Sequence, residues 1–235
     1  GFTLFEQNLG VYPYTQLTIP ALLSGQIYTN HMPVDEFIDS TLRGPTILRS
    51  AMEAGYEVDI ASMVALANAY GTGLDKNVYA ITPSEHVGHR ENVLGEATKL
   101  IDLALFRVVP HFVKAMVYRD ELWVFQPMVR PESYQHMQYF SDLSFLRRMA
   151  ERMTADRSTP VYKMMHLMLS HRPTVGTTAC EYDGKKTASR ENVTAQATCG
   201  LRHVIGVLER MQELGIYDNS LIVLMADHGA WVPVD

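Results

Sequence analysis

Long apolar runs are missing from this chain of 235 residues. None of its stretches approaches the roughly 20 apolar residues of a membrane-spanning helix, and no leader-peptide pattern opens it. Basic runs are missing too: 20 Lys and Arg stand against 26 Asp and Glu, a formal charge of −6 that argues against nucleic acid as a partner. Cysteine is scarce. Cys180 and Cys199 flank a polar stretch containing Asp183 and Lys186; they either close a surface loop as a disulfide, which implies an oxidising compartment, or stay as thiols, and spacing leaves both open. Internal repeats and low-complexity tracts are absent. The chain opens Gly1 to Glu6 without an initiator Met and stops at Asp235 just past a polar turn. It is therefore expected to be a piece of a longer protein, and missing spans say little about the parent.

What is present is an ordinary globular composition, 47% hydrophobic and 20% charged, in one expected domain over 1–235. Its most telling stretch is the apolar run Leu221 to Ala226 followed by Asp227-His228-Gly229. Six apolar residues in a row predict a fully buried strand of a parallel sheet. A carboxylate and an imidazole at its C-terminal end lie where open α/β sheets place their ligands. Both can bind a divalent metal, and Gly229 is expected to let the chain turn sharply. The plainer alternative is a strand followed by a polar turn.

Helical and strand patterns alternate along the chain, which predicts α/β architecture. Pro20 to Gly25 and Pro45 to Gly55 read as short helices, and Tyr56 to Ala61 as an alternating strand. Glu91 to Val109 reads as a helix with Val93, Ala97, Leu100, Ile101 and Leu105 on one face. Pro110, Pro127 and Pro131 predict a loop-rich excursion at about 110–140, with its loop at Arg130 to Ser133 and a helix around Asp142 to Thr154 after it. Val161 to Leu169 reads as a second buried strand, ending at Ser170-His171-Arg172-Pro173. A long helix follows, with Val193, Ala197, Leu201, Val204, Ile205, Leu208 and Met211 at helical spacing and Gly215 at its end. Strand, helix and strand in that order form a right-handed crossover, which would bring His171 and Asp227-His228 to one sheet edge.

Thr15 precedes a helical stretch, so its hydroxyl could sit at a helix N-terminus, where free amides favour an anion. A hydroxyl is a weak nucleophile until a metal or base removes its proton, and a metal held by Asp227 and His228 would lower its pKa. An ordinary helix cap would explain Thr15 equally, and Thr18 competes with it on composition. Other histidines read plainly: His166 as a satisfied core residue, His203 as a surface residue, and His86 and His89 as part of a polar loop. Met164, Met165 and Met168 read as core filler. Asn192 to Thr194 spells a glycosylation sequon at a predicted helix start.

Thr15, Pro20, Ser24-Gly25, Gly55-Tyr56, His171-Arg172-Pro173, Leu214 to Asn219 and Ala226 to Gly229 together resemble the alkaline phosphatase/sulfatase superfamily. Within it, the pattern is most similar to the sulfatase-like domain of bacterial membrane phosphotransferases, such as phosphoethanolamine transferases and lipoteichoic acid synthases. The resemblance spans nearly the whole chain. It implies an α/β/α sandwich with a mainly parallel central sheet, truncated at both ends. It also implies that Thr15 is a metal-bound nucleophile, that Asp227 and His228 are metal ligands, and that His171 approaches the transferred or leaving group. The implied metal is zinc or manganese.

Sulfatases proper carry Cys or Ser in a C-x-P-S-R motif, modified to formylglycine. This chain has threonine there, no arginine following it, and neither cysteine nearby. Phosphoryl chemistry is therefore expected in preference to sulfate ester hydrolysis, by a two-step route through Thr15. The expected substrate is a phospholipid head group, another phosphodiester or a sulfate ester. The expected location is the periplasmic or extracellular face of a bacterial membrane, reached through segments absent from this chain. An upstream acidic ligand and a downstream histidine of the family pattern are missing, so weak metal binding and no activity are expected of the chain alone. A non-catalytic envelope ectodomain that keeps the fold is the alternative of another class.

Overall fold

The computed structural model describes residues 2–6, 9–63, 66, 69, 70, 74, 77–81, 89–118, 123–125, 128 and 137–230, without the side chains of 80, 89–96, 137 and 138. The chain is mixed α/β, built around a parallel three-stranded sheet. It divides into two units, one of 1–81, 150–167 and 207–235, the other of 82–149 and 168–206.

The first unit starts with helices α1 (Thr15–Ser24), α2 (Val34–Arg43) and α3 (Ile47–Glu53). Gly25 ends α1 in the left-handed conformation (φ 73°), a position that disfavours any side chain. Thr46 caps α3, its hydroxyl accepting from the Arg49 amide at 3.3 Å. Strands β1 (Glu57–Ser62) and β2 (Asn77–Ala80), with β3 (Val161–Met165), form the sheet in the order β2-β1-β3, all parallel. Ile19, Leu23, Leu42, Leu48, Val58, Ile60 and Tyr70 make one core, in which the helices cover the central strand. That strand is buried from Val58 to Ser62, not alternately as its pattern predicts, because a central parallel strand is covered on both faces.

Burial on both faces would strand the carboxylate of Asp59, were it not answered by its cross-strand partners. Asn77 on β2 donates to it at 2.9 Å, Lys163 on β3 lies against it, and Arg157 reaches it at 3.1 Å. Burial alone would raise its pKa, but the hydrogen bonds of Lys163 and Asn77, the Lys163 charge and Arg157 outweigh that and hold it below the ordinary value.

In the second unit, α4 (His89–Val108) and α5 (His111–Tyr118) form a helical pair, followed by α6 (Met137–Arg152), which runs on into the first unit. Strands β4 (Thr174–Gly176) and β5 (Tyr182–Lys186) pair antiparallel. Helix α7 (Arg190–Glu213) starts in this unit and ends in the other. Tyr139, Leu143, Val175 and Cys199 form the second core. Gly176 is required here, since a Cβ would come within 2.6 Å of the Tyr139 ring. A disulfide joins Cys180, in the β4–β5 connection, to Cys199 on α7.

Several expectations are corrected. Leu221 to Ala226 forms no strand: the run is irregular, and Leu221, Val223, Leu224 and Met225 are exposed, Leu221 by 95%. Without that strand, the crossover from β3 is not completed among the described residues. β3 stops at Met165, so His166, and not His171, stands at its C-terminal end. Met165 is exposed, while Met164 packs on the core.

On α4 the predicted face is turned out: Leu100 and Ile101 are exposed and Ala97 with them, while Asp102 is fully buried, accepting the Val124 and Phe125 amides at 3.2 and 3.0 Å. On α7, Leu201 and Ile205 are likewise exposed, and Gln196, Cys199 and Val207 face inward. The predicted loop at Arg130 to Ser133 and the residue His86 lie outside the described residues, as does the side chain of His89, which starts α4. Asn192, within the sequon, uses its side-chain amide to hold the Thr187 carbonyl at 3.0 Å near the start of α7.

Candidate active site

Thr15 is the first residue of α1, preceded by Tyr14, which makes no side-chain cap. Its hydroxyl therefore does not close its own helix. It donates to Asp227 Oδ2 at 2.5 Å, and its oxygen lies 3.3 Å from His228 Nε2. Thr18, the competing candidate, is buried and donates its one hydroxyl proton to the Tyr14 and Tyr12 carbonyls at 2.9 and 3.2 Å, so that proton is not available to Asp227.

His228 Nδ1 lies 2.8 Å from the Gly229 carbonyl. A carbonyl can only accept, so Nδ1 carries a proton, and Nε2 is the ring nitrogen turned toward Thr15. Asp227 Oδ2 is 3.5 Å from that same Nε2. Gly229 needs no special conformation for this: its φ is not positive, and an added Cβ would meet nothing within 4 Å, which corrects the expectation of a sharp glycine turn.

His166 is largely buried and bonded, as its core reading expects, and it also joins the group. Its Nε2 is 3.9 Å from Asp227 Oδ2, and its Nδ1 is 2.8 Å from the Tyr70 hydroxyl. Burial first, and the Asp227 charge second, push the Tyr70 phenol well above its usual range, so it stays protonated and able to donate to Nδ1. The phenol can donate to Nδ1 or accept from it, and Nε2 is the nitrogen facing Asp227. Sequence offers one signal for this residue, its place directly after Met164-Met165, but the apolar pattern continues to Leu169 and hides the end of the strand.

The donor set is two oxygens and one imidazole nitrogen, clustered on Thr15, Asp227 and His228. Such a set suits a borderline cation such as zinc or manganese. It is an incomplete shell. His166 does not complete it, since Asp227, His228 and His166 do not offer three ligand atoms all within 4.8 Å of one another. Cys180, Cys199 and His203 do meet that spacing, but both sulfurs are committed to the disulfide. His203 is half-buried, not a free surface residue, with its Nδ1 3.2 Å from the Cys199 carbonyl.

His171 belongs to the second unit and is exposed there, its Nδ1 donating to the Arg172 carbonyl at 2.5 Å. Its loop is held by Gln196, a fully buried carboxamide on α7. The Gln196 amide donates to the His171 carbonyl at 3.0 Å, and its oxygen accepts the Val175 and Gly176 amides at 2.8 and 3.1 Å. Gln196 carried no signal in the sequence, because a polar residue inside a helix most often faces water.

The family model described as Sulfatase matches residues 1–233. Comparison with curated proteins and with solved structures gives no match.

Proposed function

The chain belongs to the sulfatase family, and on that premise we propose that it serves metal-dependent phosphoryl transfer or hydrolysis on a phosphodiester, with Thr15 as the nucleophile. The observation that carries the reading is the Thr15 hydroxyl at a helix N-terminus, 2.5 Å from Asp227 Oδ2 and 3.3 Å from His228 Nε2. Proteins of this family generally use divalent metals. Zinc or manganese, held by Thr15, Asp227 and His228, would supply a Lewis acid that lowers the hydroxyl pKa and offsets charge on a phosphoryl oxygen.

This chain's own residues do the rest. Asp227 holds the hydroxyl hydrogen bond and so aims the Thr15 oxygen. Free amides at the start of α1 favour the anionic group brought against it. The Thr15 proton passes to Asp227 as the Oγ1–phosphorus bond forms and the bond to the leaving alkoxide breaks, the alkoxide taking a proton from water. An acceptor alcohol or water then attacks phosphorus, loses its proton to solvent, and the Oγ1–phosphorus bond breaks as Asp227 returns the proton to Thr15. A phospholipid head group is the substrate class we favour, at the outer face of a bacterial membrane. The Cys180–Cys199 disulfide supports an oxidising compartment.

Family membership itself favours a second reading, sulfuric ester hydrolysis. Threonine at the nucleophile position argues against it, because formylglycine arises from Cys or Ser. The test assays the full natural chain, with zinc or manganese, on an aryl phosphate, a phosphodiester and an aryl sulfate, beside Thr15→Ala. Phosphodiester turnover that falls at least about a thousandfold in Thr15→Ala is expected. Full phosphodiesterase activity in Thr15→Ala overturns the nucleophile assignment, turnover of the sulfate alone selects the second reading, and no turnover of any substrate selects a non-catalytic ectodomain.

A further inference from the structure

Among the described residues, Cys180, Cys199 and His203 are the one trio of metal-type side chains whose ligand atoms all lie within 4.8 Å of one another. All three belong to the second unit. The two sulfurs share their bridge, and His203 Nδ1 lies 4.0 Å from Cys180 Sγ. This histidine has no part in the reaction proposed above, and a disulfide needs no imidazole beside it.

The spacing follows from the helix. Cys199 and His203 stand four residues apart on α7, so their side chains meet on one face. Cys180 comes to that face from the β4–β5 connection, which is held there by more than the bridge. Arg202 on α7 donates to the Thr178 carbonyl at 2.7 Å. The turn also closes on itself: the Cys180 amide donates to the Thr177 carbonyl at 3.0 Å, and the Glu181 amide to the Thr177 hydroxyl at 3.2 Å. Breaking the S–S bond therefore leaves two thiols and an imidazole facing one another across one small space.

Two thiolates and an imidazole are a zinc ligand set. Tetrahedral zinc, with Zn–S bonds of about 2.3 Å and Zn–N bonds of about 2.0 Å, sets its ligand atoms roughly 3.5–3.8 Å apart, within the span of this trio. Charge favours the same ion. Cys199 is fully buried beside Tyr139, Leu143 and Val175, where a lone thiolate would be costly. Two thiolates on one divalent cation are neutral together. Cys180 and His203 are only half-buried, so water reaches the fourth position.

We propose that Cys180, Cys199 and His203 form a zinc site in the reduced chain, and that zinc and the disulfide are alternative fasteners of the β4–β5 connection to α7. A thiol reductant breaks the S–S bond, is itself oxidised to a disulfide, and leaves two thiols. Zinc then displaces both thiol protons to solvent. The neutral imidazole binds through Nδ1 with its proton on Nε2, giving up the 3.2 Å contact with the Cys199 carbonyl. Each sulfur serves one partner at a time, so the two states exclude each other. The inference goes beyond the reaction at Thr15 and does not depend on it.

The test reduces the 235-residue chain with a phosphine, which brings no thiol of its own, and titrates it anaerobically with cobalt as the zinc probe. A thiolate-to-cobalt charge-transfer band is expected at one cobalt per chain, and the oxygens and imidazoles around Thr15 cannot produce it. Added zinc should bleach the band. The unreduced chain and Cys180→Ser with Cys199→Ser should show none, and His203→Ala should bind this cobalt at least about tenfold more weakly. Zinc should also raise the melting temperature of the reduced parent more than that of the double serine variant, which keeps Thr15, Asp227 and His228. The proposal is overturned by a reduced chain without the band, or by a band whose affinity His203→Ala leaves unchanged. One cobalt shared between two chains, or equal melting shifts in parent and variant, overturns it as well.

Discussion

Thr15 and Asp227 stand 212 residues apart in the chain, and the hydroxyl of one donates to the carboxylate of the other at 2.5 Å. The same Asp227 oxygen lies 3.5 Å from His228 Nε2 and 3.9 Å from His166 Nε2. One carboxylate oxygen is therefore the hub on which a hydroxyl and two imidazoles converge. In Asp227→Asn a carboxamide oxygen can still accept from Thr15, but the negative charge is gone. Zinc or manganese affinity, measured by titration calorimetry, should fall at least about 100-fold in Asp227→Asn, more than loss of an outer-sphere partner causes. Unchanged affinity would remove Asp227 from the metal shell.

Tyr70 tests how Asp227 is supported. Its hydroxyl meets His166 Nδ1 at 2.8 Å inside the first core. Tyr70→Phe keeps the ring and deletes that bond, and should cost about 1–2 kcal/mol in urea unfolding. If His166 merely fills space, the loss will not appear.

Asp59 sets an acid limb on stability. Its folded pKa lies below the ordinary value, so its contribution is present above the unfolded carboxyl pKa of about 3.9 and is lost as pH falls through the folded value. Asp59→Asn should be less stable than the parent by about 1–2 kcal/mol at pH 7, the exposed heads of Lys163 and Arg157 keeping the figure modest. The two stability curves should approach each other below about pH 4. Parallel curves would refute the linkage.

The Cys180–Cys199 bridge spans a sequence separation of 19 and ties the β4–β5 connection to α7. A loop of that size is worth about 3 kcal/mol in the chain-entropy account. Cys180→Ser with Cys199→Ser should lower the unfolding free energy by about 2–4 kcal/mol, and reducing agent should shift the parent protein but not the variant.

Gln196 answers three backbone groups from one buried side chain. Gln196→Leu keeps the apolar bulk but leaves the Val175 and Gly176 amides without their acceptor, at about 2–4 kcal/mol. Hydrogen exchange of those two amides should accelerate, and unaltered protection would show that another group takes over.

Much of the candidate site was legible in residue order. Thr15 at the start of a helix ended by Gly25, and Asp227-His228-Gly229 after an apolar run, announced a hydroxyl and two metal-type ligands, because these depend on residue type and local backbone preference. Helices α1, α3, α4 and α7 were legible for the same reason, since apolar spacing and capping residues act within a few turns. His166 was not legible: one histidine after an apolar run reads alike whether it lies in a core or beside a carboxylate from the far end of the chain.

Which face of each element is covered was decided only by tertiary structure. Periodicity marked Leu100 and Ile101 on α4 and Leu201 and Ile205 on α7 as inward, and all four are exposed. The apolar run Leu221 to Ala226 has the composition of a central strand, yet among the described residues no strand pairs with it. Apolarity belongs to a segment and is written in its sequence. Burial is a relation between segments, and only the folded chain says which partner arrives to provide it.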